Sequence, residues 1–93
     1  MDITETLQER GKRYGVFTRH AEISQQLKEV INQYQSGARG CCRVLAADQQ
    51  EALDMICHEI GRIMNGDPDY ADSWHGIAGY AQLVADRLNG ADR

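Results

Sequence analysis

The chain has 93 residues, 42% of them hydrophobic, and 10 Lys and Arg against 14 Asp and Glu give it a net charge of −4. A chain of this length forms one domain and buries only about two thirds of its unfolded surface, so a second chain is expected to complete its core. No stretch approaches the roughly 20 apolar residues of a membrane span, and the acidic balance excludes broad DNA binding, which needs a basic surface.

The start, "MDITETLQER", is acidic and polar where a secretory signal would be basic and then apolar, which predicts a cytoplasmic chain. Asp2 followed by Glu5 has the form of a capping box, so a short first helix is expected over about 3–10, burying Ile3 and Leu7 and ending before Gly11. Thr18 is the expected N-cap of a second helix over 18–35, whose Ile23, Leu27, Val30, Ile31 and Tyr34 recur at helical spacing. "QSGARGCCRVLA" lacks periodicity and reads as a connection that drops Val44 and Leu45 onto the core. Cys41 and Cys42 are adjacent, a spacing that strains a mutual disulfide, and Cys57 falls on an apolar helix face, so all three cysteines are expected as thiols.

Asp48 and Glu51 form a second capping-box pattern, opening a third helix over 48–65 with Leu53, Ile56, Cys57, Ile60, Ile63 and Met64 on one face. "NGDP" ends it, with Gly66 expected as the left-handed residue beyond the helix and Pro68 unable to continue it. Asp72 or Ser73 then caps a fourth helix over 73–88, stopped by Asn89 and Gly90. No segment alternates with period two for long, so the fold class is all-α: a compact bundle of three main helices plus a short N-terminal one, completed by self-association.

Three clusters are candidate sites. Glu51, Asp54 and His58 have the i, i+3 and i+4 spacings that could present two carboxylates and an imidazole to a metal. The competing reading is a solvated face, because an apolar side centred on Leu53 and Ile60 puts Asp54 at its flank and Glu51 and His58 nearly opposite. "ERGKRYGVFTR" sets Arg10, Lys12, Arg13 and Arg19 around Tyr14, an arrangement able to hold an anion beside an aromatic ring. Its Arg10, Lys12, Arg13 and Tyr14 are the anion-binding candidates, although the spacing matches no phosphate loop. The alternative is a solvated basic turn whose Tyr14 and Phe17 pack inward.

The fourth helix is the third cluster. Ile77, Ala81, Val84 and Leu88 form one stripe, widened by Trp74 and Ala85, and are expected to face the core. Gly76, Gly79, Tyr80 and Leu83 cover another side, where small residues three apart permit close approach of a second helix; with Met55 they are the expected self-association interface. His75 is expected to be exposed and His20 to sit at the edge of the core. No nucleophile, base and acid can be assembled with any specificity, and no catalytic residue, metal site or cofactor is assigned.

The blocks "ERGKRYGVF" and "EALDMICHEIGRIMNGDPDYADSWHGIAGYAQLVADRL" resemble a family of small phage and prophage proteins of unknown function. The resemblance implies a helical fold and a bacterial host cell. More distantly, the last helix is similar to that of the MazG-like all-α nucleotide pyrophosphohydrolases, which hold Mg²⁺ with acidic residues on paired helices. The chain departs from the phage pattern at two positions, having Gly76 where an acidic residue is usual and Glu59 where a lysine is usual. The expectation is a self-associating helical module, a dimer, that binds a host or phage component. The alternative is a MazG-like nucleotide-binding or Mg²⁺-dependent hydrolytic protein using Glu51, Asp54 and His58. Inhibition of a bacterial defence is a third reading, with no residue of its own.

Overall fold

A computed structural model describes residues 2–35 and 44–93, so Cys41, Cys42 and most of the expected connection lie outside the described residues. Four helices follow one another: α1 (Ile3–Tyr14), α2 (Phe17–Gln33), α3 (Ala47–Asn65) and α4 (Ala71–Leu88). Among the described residues there is no strand, and no helix is long and apolar enough to cross a membrane.

The helix ends follow from local bonding, and several differ from the expected ones. Asp2 caps α1 as expected, its Oδ1 accepting the Glu5 amide hydrogen bond at 2.8 Å. The helix then runs through Gly11 to Tyr14 instead of stopping at Arg10, because an interior glycine costs only about 1 kcal/mol. Val16, with extended backbone, precedes α2, so Thr18 lies inside the first turn and does not cap it. Ala46 precedes α3, its N–H donating to Gln49 Oε1 at 2.9 Å, while the expected cap Asp48 turns its carboxylate to Arg87 instead. Tyr70 precedes α4, leaving Asp72 in the first turn and Ser73 buried. Gly90 takes the left-handed conformation beyond α4, with φ +91°.

α3 is the axis of the fold. α2 and α4 each pack along it and α1 touches α2 and α3, whereas among the described residues α2 and α4 make no contact with each other. The three main helices therefore form one layer. At the far end of α3, Arg87 donates to Asp48 through Nε (2.8 Å) and Nη2 (2.6 Å), tying the end of α4 to the start of α3 and holding the Asp48 carboxyl below its usual range. Between them Glu59 on α3 lies against Gly76 on α4, so closely that a Cβ at 76 would sit 2.8 Å from its Oε2.

The turn between α1 and α2 docks on the C-terminal end of α3. Asn65 Nδ2 donates to the carbonyls of Tyr14 and Val16, both at 2.8 Å, and the Asp67 amide donates to the Arg13 carbonyl at 2.7 Å. Two glycines make the approach possible. Gly15 has φ +76° and ψ −162°, a region open in practice to glycine alone, and its Cα faces the Asn65 carbonyl. Gly66 is not left-handed as expected, its φ being −128°; it is required because the Arg13 carbonyl occupies the space where a Cβ would stand.

A layer leaves much of its apolar surface open. Ala52, Cys57 and Ile63 are the buried apolar residues among those described, and the chain exposes 6677 Å² with a radius of gyration of 15.5 Å. A compact monomer of 10.4 kDa would expose roughly 5,400 Å² with a radius near 12 Å. Several residues expected in the core are accordingly exposed in one chain: Ile3, Leu7, Val44, Met64, Trp74 and Leu88, together with Phe17, whose ring stands outward.

The docking of the turn fixes opposite outcomes for two glycines of one helix region. Gly15→Ala is expected to lower stability by about 2 kcal/mol or more, from backbone strain and collision with the Asn65 carbonyl. Gly11→Ala, where nothing lies within 4 Å, is expected to raise it by about 0.5–1 kcal/mol. Urea unfolding of the two variants checks both signs.

Candidate functional site

The docked turn, α2 and α3 enclose a cavity of about 470 Å³ lined by Leu7, Arg10, Tyr14, Phe17, His20, His58 and Arg62. Each wall has a local cause. Gly61 lets α2 approach α3 until the His20 ring lies where a Cβ at 61 would stand, 2.8 Å from Nδ1. Tyr14 is held by the Asn65 bond to its carbonyl, and the Arg62 guanidinium lies 4.6 Å from the centre of its ring while Nη1 pairs with Glu59 at 2.9 Å. Arg13 turns the other way, bonded to Glu9 and lying over Tyr70, whose ring meets Tyr14 edge-on.

A chain of three basic groups runs along the floor. Lys28 Nζ lies 3.2 Å from His58 Nε2, and His58 Nδ1 lies 3.4 Å from His20 Nε2. An ammonium only donates, so His58 Nε2 accepts; its proton is then on Nδ1, which donates to His20 Nε2, and the His20 proton is on Nδ1. That Nδ1 is buried against Gly61 and makes no hydrogen bond of good geometry, although the Gly61 backbone is near enough to favour its charged form. Burial is the main cause that lowers the pKa of both imidazoles, helped by the charges of Arg62 and Lys28 and opposed by the Gly61 backbone at His20 and by Asp54 at His58. Both rings thus favour the neutral form more than a free imidazole does.

Of the four anion-binding candidates, Arg10 and Tyr14 line this cavity, Arg13 is committed to Glu9 and Tyr70, and Lys12 is exposed on α1 away from it. Glu51, Asp54 and His58 do not converge. Asp54 accepts from Gln50 Nε2 at 2.8 Å, Glu51 is exposed, and both ring nitrogens of His58 are committed to His20 and Lys28. Among the described residues no three His, Cys, Asp or Glu come together as a metal-holding group. His20, expected at the core edge, is buried and is a wall of the cavity.

On the fourth helix Gly76, Gly79, Tyr80 and Leu83 border one open groove. Gly76 also meets Glu59 of its own chain, nothing lies within 4 Å of a Cβ at Gly79, Tyr80 and Leu83 border a second groove with Glu51, Asp48 and Arg87, and Met55 is half-buried on α3. The pairing of His20 with His58, 38 residues apart, has no signal in the sequence beyond the small residue Gly61, which marks where α2 and α3 close on each other. Comparison with protein-family models, curated proteins and solved structures gives no match.

The imidazole pair sets a pH dependence. With folded pKa values below the ordinary 6.5, the unfolded chain binds more protons in the interval between them, so stability contributed above about pH 6.5 is lost as pH falls. Glu59, whose pKa burial raises, works in the opposite sense above its ordinary 4.5. Urea unfolding at about pH 7.5 and 5.5 is expected to show a loss on acidification that His58→Gln reduces, with the Glu59 contribution common to both proteins.

Proposed function

We propose that this chain is a non-enzymatic helical interaction module that works as a pair of identical chains and acts by binding a host or phage component. The observation that carries the pairing is the surface left open by one chain, about 1,300 Å² more than a compact monomer of its mass exposes. A standard stable interface buries about 800 Å² per partner, so a second copy accounts for most of the excess. Cytoplasmic location, expected from the acidic and polar start, and phage or prophage origin, which rests on the resemblance of the two sequence blocks, belong to the same reading.

The side of the layer that a second copy covers follows from the pattern of its residues. On α3, Leu53, Ile56, Ile60 and Met64 share one side, and Leu53 and Ile56 line an almost wholly apolar groove with Ala81 and Val84 of α4. On α2, Val30 and Tyr34 are exposed on the side turned away from Lys28, which extends the same apolar surface. The opposite side carries Glu51 and Arg62, and its groove between α3 and α4 is rimmed by charge, with Asp48, Arg87 and Arg93 beside Tyr80 and Leu83. Of the residues read from the sequence as core, Leu53, Ile56, Ile60 and Met64 are therefore core in the pair.

Light scattering coupled to gel filtration is expected to give twice the mass of one chain, and a monomer at micromolar concentration overturns the pairing. Met64→Glu combined with Leu88→Glu is expected to yield a folded monomer, since both side chains are more than half exposed. Gly79→Leu, in open space, tests the other side of the layer: it leaves the pair intact if the apolar side is the interface and breaks it if the Gly76, Gly79 and Leu83 edge is.

A further inference from the structure

The cavity between the docked turn, α2 and α3 is on the side of the layer opposite the proposed pairing surface, so what it does is independent of self-association. Its volume of about 470 Å³ suits one small organic molecule. None of the described residues lining it is acidic. Its walls are apolar or aromatic at Leu7, Tyr14 and Phe17, and Phe17 leaves 78% of its surface open at the rim.

The charges in the cavity differ in whether they are satisfied. Arg62 has its guanidinium on Glu59 and over Tyr14, and Lys28 is spent on His58 behind the floor. Arg10 also lines the cavity and, among the described residues, has no ion-pair partner. His20 and His58 form a hydrogen-bonded floor. One uncommitted cation lining the same cavity as an aromatic wall matches one negative charge on a flat apolar body, and not a polyanion, which would need several free cations.

We propose that this cavity binds a small aryl carboxylate, its ring against Phe17 and Tyr14 and its carboxylate at Arg10 above the His20–His58 floor. The carboxylate accepts from the Arg10 guanidinium, and the ring covers the exposed face of Phe17 that one chain leaves in water. Recognition needs both parts together: the charge supplies direction, and the ring supplies most of the buried area.

Isothermal titration calorimetry of the full chain with indole-3-acetate, its uncharged amide and acetate separates the parts. Indole-3-acetate is expected to bind with a Kd below about 1 mM, and the amide and acetate each at least about tenfold more weakly. Arg10→Gln is expected to weaken the acid at least about tenfold while leaving the amide unchanged, since Arg10 is exposed and its loss leaves no buried partner. Phe17→Ser weakens both. No heat with the acid, equal binding of acid and amide, or an Arg10→Gln variant that binds like the parent overturns the proposal. The same titration on the Met64→Glu, Leu88→Glu variant keeps the result separate from the pairing of chains.

Discussion

Asn65 holds the fold together at its most constrained point. One side-chain amide donates to two carbonyls of the α1–α2 turn, Tyr14 and Val16, and the backbone just beyond it receives the turn through Asp67 and the Arg13 carbonyl. Both hydrogens of that amide are used, so the turn cannot slide along the end of α3 without leaving a donor unmet. The direction of α1 follows from this contact, because α1 makes few others. So does the cavity, whose outer wall is α1 and whose inner wall is α2 and α3. "YGVF" and "NGDP", which stand about fifty residues apart in the chain, are two halves of one joint.

The layer arrangement explains why a chain with an ordinary hydrophobic content has so small a buried core. α3 is covered along two edges, by α2 and α4, and both of its remaining sides face outward. On one side the residues are Leu53, Ile60 and Met64; on the other they are Glu51, Met55 and Arg62, across which α1 lies for part of the length. An amphipathic helix whose apolar stripe is open in the single chain is a different object from one that is polar there, and the proposed pairing rests on that difference.

Element type was legible because helical periodicity is a local property: apolar residues at 3.6 spacing located all four helices, and Asp2, Asn89 and Gly90 marked true ends. Other ends were missed where a side chain that could cap had a better partner elsewhere. Asp48 serves Arg87, 39 residues away, and no window of the sequence contains both. Gly66 was read for its own backbone preference, whereas its role is set by the carbonyl of Arg13 that packs against it. The candidate site was legible in part for the same reason. Arg10 and Tyr14 were found because they are close in sequence, but His20, His58 and Arg62 join them only through the crossing of α2 and α3.

Glu59 and Gly76 stand 17 residues apart on different helices, and nothing in the sequence marks them as neighbours. In space they are one contact. Glu59 is buried, and its carboxylate lies directly over the Cα of Gly76, with Asp72 near enough to raise its pKa further. A carboxylate at 76 would there meet a second carboxylate in a poorly solvated place, a pairing that like charges disfavour. A residue without a side chain at 76 leaves room for Glu59 to turn toward Arg62. The Glu59–Gly76 contact, with the Glu59 charge balanced along α3 by Arg62 and through it tied to Tyr14, thus has an electrostatic account within the fold.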